Sequence, residues 1–445
     1  MNMTKLGDEY INIIKKDIET EKKSAADAEN YLKSSTAKYH GITVKTCHVP
    51  KIFTKSDFDF LKGEIKTLYK IFNKIIHEYF NNAEYRKLFG FDKITEKLIL
   101  ASYTNNYTVP IARIDIFYNE KTRAYGFCEF NTDGTSAMNE DRELNNAVKY
   151  THVFNEFSKR YNLYTCELFN SWVKEFAKIY DGFKAEYGKG ELKNIAIADF
   201  SECATSNEFK IFKEAFENAG YNAEICDITA LKYDGKNLYT DSGFKIDAIY
   251  RRAVTCDIIN RTNEVKPFID AVLDKNVCVT GDFFTQIIHN KILYKVIHMP
   301  QTMRLLTDAE KEYVNLHVPY TAQMTDELKE RIIAEKDGWI LKPEDSYGSK
   351  GVYAGVEYNT QDWNKVIKNL NCRHYIAQQF LTPYKTPNFI YDGKNLTEQD
   401  VYNLTGMFVY NGNLSGIYSR VSKSPIISTQ YSEMALATLY CDTNI

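Results

Sequence analysis

The sequence predicts a multidomain protein of mixed α+β and α/β construction, and three observations carry that prediction. The chain has 445 residues, beyond the size at which one hydrophobic core keeps growing, so two or three domains or lobes are expected. Its patterning changes style twice, at the linker-like segment AEYGKGELKN before residue 195 and again around residue 325. Between those points, short apolar runs and an amphipathic helix follow the β-α-β order that builds a largely parallel sheet.

Residues 7–35 and 55–88 read mainly as helices; in the second, Phe58, Leu61, Ile65, Leu68, Ile71 and Ile75 recur near helical spacing. These helices are expected to brace the sheet that follows. From about 97 to 131 the pattern is strand-like, in LILASY, ARIDIF and GFCEF, and a helix is expected to begin near Ser136. NIAIADF, YNAEICDI and KIDAIYRR read as three strands, with EFKIFKEAFENAG a helix closed by Gly220, giving an αβ domain over 190–290. Beyond 325, DELKERIIAEK is a helix, and GWILKP, GVYAGVEY and HYIAQQFL are strands around the turn-rich DSYGSKG. That is the layout of a small α+β lobe with a mobile glycine loop. TGMFVYNGNLSGIYSRVS reads as a hairpin turning at Asn411-Gly412. Residues 384–402 read as a surface loop, the other reading being a cover for a substrate site.

Bulk properties exclude several classes. Lysine plus arginine number 56 against 59 acids, a formal charge of -3, which gives no global field for nucleic acid or an anionic membrane. The 33 tyrosines and 26 phenylalanines come without a basic stripe and read as packing rather than base-stacking platforms. The stretch MNMTKLGDEYINIIKKDIETEKK lacks the apolar core and cleavage site of a secretory signal, and no apolar run approaches the ~18 residues of a membrane span. A cytoplasmic protein is expected. The nine cysteines are dispersed with no CxxC pair and are expected to be free thiols.

The chemistry concentrates in PIARIDIFYNEKTRAYGFCEFNTDG. Two alternating runs flank a polar turn, so Arg113 shares a face with Asp115, and Glu129 with Asn131. If the hairpin is symmetric about Thr122, Asp115 faces Glu129 and Arg113 faces Asn131. Opposed carboxylates repel unless a cation or proton intervenes, and two acids, an amide oxygen and an arginine suit a hard divalent ion carrying a phosphate. The alternative is an ordinary solvated face. The other side, with Ile114, Ile116, Cys128 and Phe130, would pack on the core. Ser136 and Glu140 stand where a turn leads into a helix, either as local caps or as a helix terminus aimed at a substrate carboxylate.

Lys342 closes the apolar strand Trp339-Ile340-Leu341, and Gly348 and Gly351 surround Ser349 and Lys350, so that backbone N–H groups and lysines can approach phosphates. Lys291 begins a helical run, where it is either exposed or buried with an anionic partner. No GxxxxGK with a following Ser or Thr and no GxGxxG after a strand occurs, which disfavours P-loop and Rossmann sites.

Taken in order, RID, EFNTDGTS, Asn290-Lys291, KPEDSYGSKG, YIAQQF and SGIYSRVS resemble the ATP-grasp ligases, most closely the permuted, glutathionylspermidine synthetase-like group, over roughly residues 35–430. The resemblance implies an ATP-grasp fold with a preATP-grasp-like αβ domain and a mobile lid lobe. It divides the chain into 1–185 (helices and the metal-binding part of the core), 190–290 (preATP-grasp-like), 291–390 (lid lobe) and 391–445 (return to the core). It further implies ATP and Mg2+ as cofactors, with Asp115, Glu129 and Asn131 as metal ligands and Arg113 at the transferring phosphoryl group. Lys291 and Lys342 would hold nucleotide phosphates under a lid of Gly348, Ser349, Lys350 and Gly351, and Gln378, Gln379 and Phe380 would sit near the adenine. Ser136 is assigned to substrate and Arg420 to substrate and phosphates. The implied reaction joins a small-molecule or peptide carboxylate to an amine through an acyl phosphate. The alternative is a non-catalytic ATP-binding regulatory protein of the same fold.

Overall fold

The computed structural model describes residues 2–39, 41–346, 350–370, 374–428 and 433–442. Gly348 and Ser349 therefore lie outside the described residues. The chain is a mixed αβ protein of several sheets, and among the described residues no helix is long and apolar enough to cross a membrane.

The central sheet has six strands. Its order is Met434–Leu436, Asn413–Ser422, Leu396–Tyr410, Ile111–Tyr118 and Tyr125–Asn131, with Lys385–Tyr391 pairing the first half of Leu396–Tyr410. All of these pairings are antiparallel. The long strand and Asn413–Ser422 are joined through Asn411 and Gly412 at φ 45° and 75°, the positive pair that a tight hairpin twist demands. Residues 384–402 are thus largely strand, not loop. Pro387 is tolerated there because Lys385–Tyr391 is an edge strand, where a missing N–H breaks no second ladder.

One face of this sheet buries Ile114, Ile116 and Phe130, each 0–1% exposed, against the helix Lys55–Asn81. Phe72 of that helix meets Phe130 edge-to-face at 5.1 Å. Thr54 starts the helix by accepting from the Asp57 N–H at 3.2 Å. LILASY, expected as a strand, belongs instead to the helix Lys93–Ala101 and the turn after it. A short apolar run suits either state, and here Asp92 decides, its carboxylate accepting from the Ile94 and Thr95 N–H groups at 2.8 and 2.9 Å.

A second sheet, Cys278–Thr280, Ala248–Arg251, Asn194–Asp199 and Asn222–Asp227 in spatial order, is wholly parallel. The helix Phe169–Tyr187 runs into AEYGKGELKN and ends at Gly188, φ 63°, so only part of that segment is a connector. A third, antiparallel sheet orders Thr321–Gln323, Tyr375–Gln379, Trp339–Pro343 and Tyr353–Ala354 around its own core of Trp339, Leu341, Trp363 and Ile367. GVYAGVEY yields only that two-residue strand, because the chain turns at Gly355, where a Cβ would lie 1.8 Å from the Lys336 carbonyl oxygen.

The parallel sheet is pinned to the loop after the acidic hairpin by a buried ion pair. Arg251 Nη2 lies 2.7 Å from Asp133 Oδ1, with side chains 0% and 2% exposed, and Asp133 Oδ2 accepts from the Thr255 N–H at 2.7 Å. Gly134, at φ 63°, passes so close that a Cβ would sit 2.9 Å from the Arg252 carbonyl oxygen. Removing one partner of such a pair leaves an uncompensated buried charge. Asp133→Ala is therefore expected to lower the unfolding free energy by about 3–5 kcal/mol in urea titrations followed by circular dichroism; an unchanged midpoint would show that the pair is dispensable.

Candidate active site

The hairpin's register places Asp115 across from Glu129 and Arg113 across from Asn131, then shifts so that Ile116 pairs with Phe127. Cys128 is the extra residue. This bulge re-aims the backbone, and the Cys128 carbonyl accepts from Lys342 Nζ at 3.2 Å. On the neighbouring strand Gly406 pairs with Asp115. A Cβ there would lie 2.8 Å from Asp115 Oδ1 and 3.0 Å from Arg113 Cδ, so the missing side chain makes room for both. An isolated glycine in the apolar run TGMFVY was the sequence signal for such a close approach.

Asp115 is 1% exposed and is surrounded by donors. Its oxygens accept from Arg113 Nε at 2.9 Å and Nη2 at 3.3 Å, from Asn131 Nδ2 at 3.1 Å and from Arg420 Nη2 at 2.5 Å. Arg420 also reaches Glu433 at 3.4 Å, a residue that no sequence pattern marked. Glu129 instead pairs with Lys291, Nζ to Oε1 2.8 Å. Burial would raise the Glu129 carboxyl, but Lys291, with Lys342 and His289 behind it, overrides this and brings it down to about 2.

Lys291 also donates to the Ser346 carbonyl at 2.8 Å, and Lys342 donates to Gln378 Oε1 at 2.8 Å, which Thr321 steadies from the amide side. Both lysines are buried, so the exposed-helix reading of Lys291 does not hold. A cavity of about 520 Å³ is lined by Arg113, Asp115, Glu129, Asn131, Ser136, Lys291, Lys342, Lys350, Gln378, Gln379, Phe380 and Arg420. Gly351 stands beside this lining, at φ 72°. Of the three residues of YIAQQF singled out, Gln378 is buried, Phe380 half-buried and Gln379 exposed.

The helix after the hairpin, Met138–Ala147, corrects an expectation. Ser136 does not cap it, and the Glu140 carboxylate accepts from its own N–H in the first turn. Ala137 enters it at φ 85°, and the carboxylate of Glu208 accepts from the Met138 and Asn139 N–H groups at 2.8 and 3.2 Å. The protein's own carboxylate, held also by Arg252 at 2.9 Å, fills the terminus that a substrate carboxylate would need. The Ser136 carbonyl accepts from Arg113 Nη1 at 3.1 Å.

No family model matches the chain, and no curated protein matches its sequence. Among solved structures, a glutathione synthetase-like effector from Globodera pallida superposes with a TM-score of 0.62 at 12% identity, over 94% of this chain and 96% of that one. A protein assigned as a gamma-glutamylcysteine synthetase from Methylobacillus flagellatus gives 0.44 at 12% identity, over 87% and 90%. A D-cycloserine synthetase gives 0.28 at 14%, over 56% and 92%. The first likeness shows a shared fold; the other two superpose too loosely to add to it.

Two outcomes follow from this geometry. Gly406→Ala forces Asp115 and Arg113 to shift, and is expected to destabilise by about 1–3 kcal/mol, the usual cost of overpacking, read as a lowered thermal midpoint. In metal-free protein the Lys291–Glu129 pair stabilises the fold fully above the ordinary glutamate range near 4.5 and loses its contribution as pH falls through about 2. The stability gap between wild type and Lys291→Met should therefore hold above that range and shrink toward pH 2. A gap that persists unchanged at pH 2 would rule out the ion pair as its source.

Proposed function

We propose that the chain is an ATP- and magnesium-dependent ligase of the ATP-grasp type that joins a carboxylate to an amine. One observation carries the reading: the hairpin residues, Lys291, Lys342 and Arg420, drawn from distant parts of the chain, line a single cavity of about 520 Å³, a size typical of small-molecule sites. The fold likeness to a glutathione synthetase-like protein supports it at a coarser level.

The donor set fits a hard divalent cation. Glu129 is held ionised, and Asn131, donating through its Nδ2, keeps its amide oxygen to offer. Glu129, Asn131 and Asp115 would hold the metal, Asp115 doing so by exchanging one of its guanidinium partners. When bound, magnesium supplies charge neutralisation at the phosphoryl oxygens. Lys291 and Lys342 bind the nucleotide phosphates, and Gln378, Gln379 and Phe380 flank the base. Arg113 and Arg420 stabilise the charge that spreads as the terminal phosphoryl group passes to the substrate carboxylate. Ser136 faces the substrate. Lys350, on the cavity lining, adds positive charge beside the phosphates. In this reading 1–185 and 391–445 form the catalytic core, 190–290 the preATP-grasp-like domain and 291–390 the lid lobe.

Glu129→Ala is expected to abolish magnesium-dependent ADP release from paired pools of carboxylates and amines, while circular dichroism stays that of wild type. Wild-type turnover in that variant would sink the metal assignment. ADP release by the unaltered protein with neither pool present would count against ligation.

A further inference from the structure

Five described carboxyl side chains line the cavity: Asp115, Glu129, Asp133, Glu140 and Glu433. Four are engaged by cations. Arg113 and Arg420 hold Asp115, Lys291 holds Glu129, Arg251 holds Asp133, and Arg420 reaches Glu433. Glu140 differs. It is 8% exposed, lies in the first turn of Met138–Ala147, accepts from its own N–H, and among the described residues makes no ion pair. Arg113 links it to the reacting region: the guanidinium that pairs with Asp115 and donates to the Ser136 carbonyl also lies close enough for its charge to act on Glu140.

An amine reaches water-filled sites mostly as an ammonium ion, which has no lone pair to attack with. The cations of this cavity repel a proton, and the engaged carboxylates have theirs already replaced by guanidinium or ammonium groups. On the ligase reading above, we propose that Glu140 is the proton acceptor that turns the ammonium form of the amine co-substrate into the nucleophile. The ammonium proton passes to a Glu140 carboxylate oxygen. The freed nitrogen lone pair then forms the C–N bond at the acyl carbon, the C–O bond to phosphate breaks with its electron pair leaving on phosphate, and the second nitrogen proton departs with the phosphate.

The surroundings match this role. Glu208 faces Glu140 from the helix Ser206–Asn218, Arg252 from the end of the parallel sheet, Arg113 from the hairpin, Tyr418 from Asn413–Ser422 and Asp141 from its own helix. Burial and the Glu208 carboxylate together push the Glu140 carboxyl up to about 8 against the pull of its own N–H and the two arginines, so it is ionised and able to accept mainly toward pH 8 and above, and it then holds the proton more tightly than an ordinary carboxylate.

The test compares an alkylamine with hydroxylamine, which is uncharged near neutral pH and needs no such acceptor. Glu140→Gln is expected to lower kcat/KM for the alkylamine by about 100- to 10,000-fold, with hydroxylamine-dependent ADP release within about threefold of wild type. If the Gln variant does not fold, Glu140→Asp, which draws the carboxyl back by one methylene, is expected to split the two nucleophiles in the same direction. Equal losses for both nucleophiles, or alkylamine turnover at the wild-type level, overturn the assignment of Glu140. Failure of wild type to release ADP with any carboxylate and either nucleophile instead overturns the ligase reading beneath it.

Discussion

The site depends on one buried carboxylate, that of Asp115. It receives hydrogen bonds from two guanidinium groups and an amide, and one of the guanidinium groups belongs to Arg420, 305 residues along the chain. A carboxylate buried at this depth without such partners would protonate or destabilise the fold. The pairing therefore fixes three neighbouring strands in register, and it obliges the intervening strand to carry glycine at 406. The hairpin's chemistry and the sheet's construction are in this sense a single requirement.

Much of this architecture was legible in the sequence because strand alternation has a period of two, so the facing of Arg113, Asp115, Glu129 and Asn131 followed from their spacing. The bulge at Cys128 was not legible, since an extra residue leaves the local pattern almost unchanged. LILASY misread for a related reason: its apolar run is too short to distinguish a helix from a strand, and the deciding contact is a cap at Asp92, six residues before its first leucine. Glu433 and Glu208 were invisible because their roles arise from partners brought together only by the tertiary fold. Nothing near them in sequence carries the signal.

The carboxyls around the cavity are sorted by environment rather than by residue type. Glu129, beside Lys291, stays ionised far into acid, whereas Glu140, beside Glu208, is pushed up to about 8. Separating the pKa values of neighbouring acids is a general way to assign one to hold charge and another to exchange protons. Arg113 stands between the two, pairing with Asp115 across from Glu129 and acting by its charge on Glu140.

The central sheet's connectivity bears on how the protein is made. Ile111–Tyr118 has its second partner in Leu396–Tyr410, so nearly three hundred residues must leave the ribosome before that edge is covered. At the usual pace of ~5–20 residues per second, the nascent hairpin waits for many seconds with an open strand edge, Asp115 meeting only the hairpin's own Arg113 and Asn131. The charged pair Arg113 and Asp115 lies on that edge strand, and charge on an open edge discourages pairing with another nascent chain.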